Sequence, residues 1–161
     1  MSDVLLDEAS LRILDALQKN AELSNAELAE MVGLSASPCW RRVADLRQSG
    51  VLRKSVALVD PVKLGLMVNV FVHVSLKQQD KDSLEVFTRA IAARPEVMEC
   101  YLMSGEADFM LRVVIEDLVK YQALLLECLT LIPSVASIRS SFALSQVKYT
   151  TALPTGHLRG R

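Results

Sequence analysis

The stretch from Leu23 to Lys54 restricts what this chain can fold into more than any other. It begins LSNAELAEMVGLS, continues ASPCWRRVADLRQSG and runs into VLRKSVALVD. Ser24 and Glu27 have the S-x-x-E spacing of a capping box, in which the hydroxyl accepts from the third helical amide and the carboxylate reaches back to the cap amide. Leu23 and Leu28 fall at the staple positions that fix how the chain enters the helix. Gly33 ends that helix where a left-handed residue is cheap. Ser35 is placed to cap a second helix, and Gly50 closes it. Pro38 falls in its first turn, where a missing amide loses no intrahelical partner. Two helices joined by so tight a turn predict a helix-turn-helix. Leu11, Leu14 and Leu17 recur at helical spacing between Glu8 and Lys19 and add a first helix to the pair.

Charge is distributed unevenly around this unit. Asp3, Asp7, Glu8, Asp15, Glu22, Glu27 and Glu30 face only Arg12 and Lys19, whereas Arg41, Arg42, Arg47, Arg53 and Lys54 face only Asp45. On a chain of net charge −1, a local basic face is the electrostatic footprint of a DNA module joined to a second, non-DNA domain. A basic cluster by itself reads as a solvated helix face; the helix-turn-helix around it changes that reading. In the second helix of the pair, Cys39, Val43 and Leu46 follow core spacing. Ser37, Arg41, Ala44 and Gln48 fall on the opposite side, with Trp40 and Arg42 on the flanks. Ser37 and Arg41 therefore suit base edges in a major groove, and Arg47, Arg53 and Lys54 suit phosphates. Ser35, Pro38, Trp40 and Arg42 complete the docking set, although a lone aromatic such as Trp40 reads more readily as packing than as stacking.

Beyond Gly50 the pattern changes. VLRKSVALVD is rich in β-formers and predicts a wing or connecting strand. Asp60-Pro61 before Val62–Gly65 predicts a capped turn. Val68 to Leu76 alternates with period two. Leu84, Phe87 and Ile91 mark a helix ending before Arg94-Pro95. Val97–Met103 and Phe109–Ile115 read as strands around Ser104-Gly105-Glu106-Ala107-Asp108. Asp117 caps a helix carrying Leu118, Tyr121, Leu125 and Leu129. Val135–Leu144 is a last strand, and Val147–Leu153 a further extended piece. This order, strand-helix-strand-strand-helix-strand, is the split βαβ, ferredoxin-like arrangement. The fold class expected is α+β. Residues 1–54 form the winged helix-turn-helix, 55–66 a linker, 67–154 the ferredoxin-like domain and 155–161 a frayed tail.

Several functions lack support. No apolar run reaches about 18 residues, so no membrane partner is expected. The acidic MSDVLLDEAS start lacks a signal-peptide pattern, which predicts a cytoplasmic, nucleoid-associated protein. Cys39, Cys100 and Cys128 are odd in number and far apart, as reduced thiols are. His73 and His157 have no nucleophile or metal-ligand partner at motif spacing, so neither catalysis nor a metal is expected. Glu106 and Asp108 read as turn formers or as acceptors for the ammonium of a small ligand.

The segments SPCWRR, ECYLMSGEADFMLRV and SIRSSFALSQVKYTTALP, in this order, resemble the Lrp/AsnC family of bacterial and archaeal transcription regulators from Leu6 to Pro154. The resemblance implies an N-terminal helix-turn-helix and a ferredoxin-like effector domain, often called RAM. It also implies double-stranded DNA as partner, and homodimers formed through strands that assemble into octamers or similar rings. In such proteins an amino-acid effector binds near the Gly-x-x-Asp hairpin. Carried over, that points to Tyr101, Met103, Ser104, Gly105, Glu106 and Asp108, with Ser140 and Ser141 on the last strand. Glu106 stands where the family more often has Asp, Phe109 where Tyr is common, and Ala36 where Pro is frequent. VNVFVHVSL and RPEVMECYLMSG resemble regulators of branched-chain keto-acid dehydrogenase operons, and CWRR and QVKYTTALP a cysteine-responsive subgroup. Leucine or another apolar amino acid is the favoured effector. The competing expectations are an effector-independent architectural DNA-binding protein and, with less support, an enzyme on a ferredoxin-like scaffold.

Overall fold

Asp7 starts the first helix, α1 (Glu8–Lys19), because its carboxylate accepts from Ser10 N at 2.9 Å. Leu11, Ile13, Leu14 and Ala16 turn one face of α1 inward. The second helix, α2 (Asn25–Val32), carries the full capping box: Ser24 Oγ accepts from Glu27 N at 3.3 Å, and Glu27 Oε2 accepts from Ser24 N at 2.8 Å. Gly33 takes the left-handed conformation (φ 68°) that ends α2. Leu34 N, one residue later, donates to Ala29 O at 2.9 Å. The third helix, α3 (Ala36–Gln48), starts after Ser35, whose backbone is extended as a cap requires but whose hydroxyl makes no capping bond. These three helices close a small core in which Leu28, Val32, Cys39 and Leu46 meet α1.

The computed structural model describes residues 6–159, so Asp3 of the acidic group and the last two residues of the tail lie outside it. Two units emerge: the chain up to Leu58 together with Lys148 onward, and Val59–Val147. This division departs from a boundary at residue 154 and from a frayed tail. Gln18 and Leu153 exchange two hydrogen bonds, Leu153 N to Gln18 Oε1 at 2.6 Å and Gln18 Nε2 to Leu153 O at 3.1 Å. Thr155 Oγ1 donates to Asp15 at 2.7 Å and Arg159 pairs with Asp15 at 2.6 Å. Leu158 packs on the three-helix core. The C-terminal segment is thus a strap along α1. The segment after α3 is not a paired strand in this structure. Among the described residues, 51–60 pair with no strand. Val56, Leu58 and Val59 are about 60% exposed.

In the second unit Asp60 caps the turn Val62–Leu64, and then β1 (Val68–Leu76), α4 (Lys81–Ala92), β2 (Val97–Leu102), β3 (Phe109–Ile115), α5 (Leu118–Glu127) and β4 (Val135–Phe142) follow. The strands lie in the order β2-β3-β1-β4, each antiparallel to its neighbour. Alternation sends Val70, Val72, Val74 and Leu76 of β1 and Phe109, Leu111 and Val113 of β3 towards Phe87, Ile91, Tyr121 and Leu124 of the helices. Asn69, Phe71, His73 and Ser75 fall on the opposite face, only partly covered. The pattern misplaced two details. Leu118 is exposed, with Leu124 buried in its stead, and β4 stops at Phe142; the piece Val147–Leu153 pairs with no strand among the described residues. The Pro133 stop is real, although α5 has already tightened into a single 3-10 turn at Leu129–Leu131.

Candidate nucleic-acid interface and ligand site

Helix α3 separates its two faces sharply. Cys39 and Leu46 are fully buried, and burial pushes the Cys39 thiol above its ordinary value. On the other side Ser35, Ser37, Pro38, Arg41, Arg47 and Gln48 are exposed. Trp40 is 65% exposed, against the expectation that it packs. Trp40 thus leaves a large aromatic in water near the start of an amphipathic helix.

Arg41 and Arg42 differ although they are neighbours. Arg42 Nη1 lies 2.7 Å from the Asp7 carboxylate and donates to Ser10 Oγ at 3.2 Å, tying α3 to the start of α1. Ser10 N, followed by burial, the Ser10 hydroxyl and the Arg42 guanidinium, sets the Asp7 carboxyl, with a net lowering below its usual range. Arg41 forms no ion pair among the described residues and faces solvent. Arg47, Arg53 and Lys54 come together along a groove of about 660 Å³ whose wall also includes Lys19, Glu22 and Thr151. Lys19 was not singled out by its sequence neighbourhood, because helix α1 and the post-α3 segment meet only in three dimensions. Ala36 O accepts from Asn25 Nδ2 at 3.0 Å, and Val32 O from Arg12 Nε at 3.1 Å, so the start of α3 and the end of α2 are held by side chains the sequence did not flag.

The hairpin of the second unit also divides neighbouring charges. Asp108 is buried, with Oδ2 accepting from Leu76 N at 2.7 Å and Oδ1 from Gln79 Nε2 at 2.6 Å. Its backbone joins in: Asp108 N donates to Val74 O at 2.9 Å and Met103 N to Asp108 O at 2.8 Å. Glu106 stays exposed, 3.5 Å from Arg139 Nη2. Gly105 has φ 131°, a conformation side-chain-bearing residues rarely adopt, which explains a glycine at this turn. Tyr101, Met103 and Ser104 are exposed, and the Tyr101 hydroxyl donates to Glu99 at 2.9 Å. Glu99 in turn accepts from Arg112 at 2.9 Å, which holds its carboxyl below the ordinary range. Ser140 instead faces the helices and bonds Tyr121, while Ser141 pairs opposite Phe71 on the other face. The effector candidates therefore do not form one cluster: the hairpin set and Ser141 share the outer side, and Ser140 does not. Among the described residues no group of His, Cys, Asp and Glu could hold a metal ion, and no helix is long and apolar enough to cross a membrane.

Two domain families match this chain: the winged helix-turn-helix DNA-binding domain over residues 6–53 and the Lrp/AsnC ligand binding domain over residues 69–153. The Bkd operon transcriptional regulator of Pseudomonas aeruginosa is 45% identical over 149 residues, covering 92% of this chain and 97% of that protein. The leucine-responsive regulatory protein of Rhizobium meliloti is 40% identical over 145 residues, covering 90% and 93%. A Neisseria meningitidis transcriptional regulator, solved as its L-Met complex, superposes with a TM-score of 0.91 at 37% identity, covering 95% of this chain and 99% of that one. A helix-turn-helix DNA-binding domain in one chain with a ligand-binding α+β domain defines a DNA-binding transcriptional regulator rather than an enzyme. The chain belongs to the Lrp/AsnC family.

Proposed function

We propose that this regulator reads operators of amino-acid metabolism genes through Ser37, Trp40 and Arg41, and that an apolar amino acid, leucine first, tunes its DNA binding or assembly. The observation that carries the DNA half is the free Arg41 beside the internally tied Arg42. A guanidinium with no partner among the described residues, on the solvent face of α3, is available to a guanine edge, whereas Arg42 ties α3 to the start of α1. Ser35 and Pro38 shape the first turn of α3, and the groove of Arg47, Arg53 and Lys54 takes phosphates. The effector half rests on the relatives named for leucine and solved with L-Met. The hairpin residues Tyr101, Met103, Ser104, Gly105 and Glu106, with Ser141, are its candidate site, Asp108 acting as the buried post that holds them. Ser140 is the weakest member. The partly covered sheet face and the exposed apolar Val56, Leu58 and Val59 support homodimers that build octamers in a cytoplasmic, nucleoid-bound regulator. Such two-fold dimers would engage half-sites about 34–36 Å apart, or multiples of that spacing.

One titration tests this. On DNA selected from a random library, Arg41→Ala should weaken binding by about 1–3 kcal/mol and relax base preference at one position. Arg42→Ala should lower thermal stability and leave base preference intact. L-Leucine should shift wild-type affinity about 5–150-fold. Unchanged preference in Arg41→Ala would overturn the reading of Arg41. Affinity indifferent to each of the twenty amino acids would leave an architectural DNA-binding protein.

A further inference from the structure

The ligand-binding domain contains a cavity of about 590 Å³ at the opposite end of β2 and β3 from the SGEAD hairpin. Its walls come from the approach to β2, the end of β3 and one side of α5, all within a single protomer. Arg94 and Glu96 bring opposite charges to it, and Lys120 and Glu127 do the same from α5. Among the described residues none of these four takes part in an ion pair. The two inner groups are held in place. Arg94 Nε donates to Cys128 Sγ at 3.0 Å, which fixes the guanidinium plane and leaves its two terminal nitrogens without an internal partner. Arg94 O accepts from Val97 N at 3.2 Å, and Glu96 O from Val114 N at 2.9 Å. Glu96 Oε2 is buried and has no hydrogen-bond partner.

A buried carboxylate oxygen without a donor is costly and calls for one. The fork of Arg94 is matched to a carboxylate. A ligand that carries an ammonium and a carboxylate on one carbon offers a partner to each, the ammonium meeting Glu96 once its carboxyl turns from its buried position into the cavity. Glu116 adds a third carboxylate to the wall, the rest of the lining is mostly apolar, with Leu66, Met98, Val114 and Leu124, and the volume suits a small molecule.

We propose that this cavity is a binding site for an apolar α-amino acid within each protomer, separate from the hairpin. Arg94 takes the ligand carboxylate, Glu96 takes its ammonium, and the ligand side chain lies among Leu66, Met98 and Val114. The proposal shares with the functional reading only the class of ligand; it does not need the hairpin to bind anything.

Two methionines report on the two places. Met98 lines the cavity and Met103 sits beside the hairpin. In the full-length protein with ¹³C-methyl methionine, titration with L-leucine should move the Met98 signal saturably. Leucinamide, which lacks the carboxylate, and N-acetyl-leucine, which lacks the ammonium, should not move it. Arg94→Gln and Glu96→Gln should each weaken the response about 10- to 100-fold, with unfolding temperatures checked alongside. Because the two analogues need no substitution, a poorly folded variant leaves the test intact. A Met103 shift with Met98 stationary would overturn this proposal and support the hairpin. Both signals stationary for leucine and for the other apolar amino acids would overturn both.

Discussion

In the DNA-binding unit Arg42 reaches Asp7 and Ser10 across a surface where the two charged side chains are 33% and 48% exposed. In the ligand-binding domain Asp108 reaches Leu76 and Gln79 from a position only 8% exposed. The arrangement is the same, since each charge has a neighbour of the same sign, Arg41 or Glu106, left on the outside. The medium differs. An exposed ion pair is screened and carries about 0–1 kcal/mol, whereas a buried carboxylate with two hydrogen bonds cannot lose them cheaply. The internal charge of the hairpin is therefore part of its frame. That of the DNA-binding unit is an adjustable stay between α3 and α1.

Removing the frame should have the larger effect. Asp108→Ala strands the Leu76 amide and frees Gln79, and should destabilise the second unit by about 3 kcal/mol in urea unfolding. Asp108→Asn keeps one acceptor and should lose less. A loss below about 1 kcal/mol for Asp108→Ala would erase the contrast with Arg42.

The contrast was only half legible in the sequence. Ser24, Glu27 and Gly33 gave α2 correctly because capping is decided within four residues. Val68–Leu76 was found because alternation is equally local. Arg42 and Asp7 are 35 residues apart, and Asp108 and Leu76 are 32 apart, so no spacing rule could distinguish the tied member of each charge pair from the free one. Nor could local pattern attach Arg159 to Asp15, 144 residues away, and so the strap read as a frayed tail. The β-propensity of VLRKSVALVD is genuine, but a strand needs a partner, and the chain offers none among its described residues. Residue type alone makes Trp40 read as packing; it is exposed because Cys39 and Leu46 take the inward face of α3 and Trp40 lies off that face.

A local bond in the same unit calibrates the stay. Ser24→Ala removes the hydroxyl that accepts from Glu27 N and leaves the Glu27 carboxylate with only its return bond. The expected cost is about 1 kcal/mol, read from urea unfolding. This should equal or exceed the cost of Arg42→Ala, since a cap satisfies an otherwise orphaned amide while an exposed pair competes with water. The reverse order would mean that Arg42 is shielded more than its exposure suggests.

The smallest effect concerns acidity. Ser10 N, together with the Ser10 hydroxyl and Arg42, holds the Asp7 carboxyl below its ordinary value in the folded state. The unfolded chain therefore binds a proton more readily than the folded one, and stability rises with pH across that interval. The contribution is complete above the unfolded value, about pH 3.9, and disappears as pH falls through the lower folded value. Because Asp7 is about half exposed, the effect should amount to only a few tenths of a kcal/mol. Melting of the wild type and of Asp7→Asn between pH 2.5 and 6 would show it, with the two curves converging at the acid end. In Arg42→Ala the wild-type dependence should shrink but persist, because the Ser10 amide and hydroxyl remain. If it vanished, Arg42 rather than the helix cap would dominate Asp7, and the stay would belong with the frame.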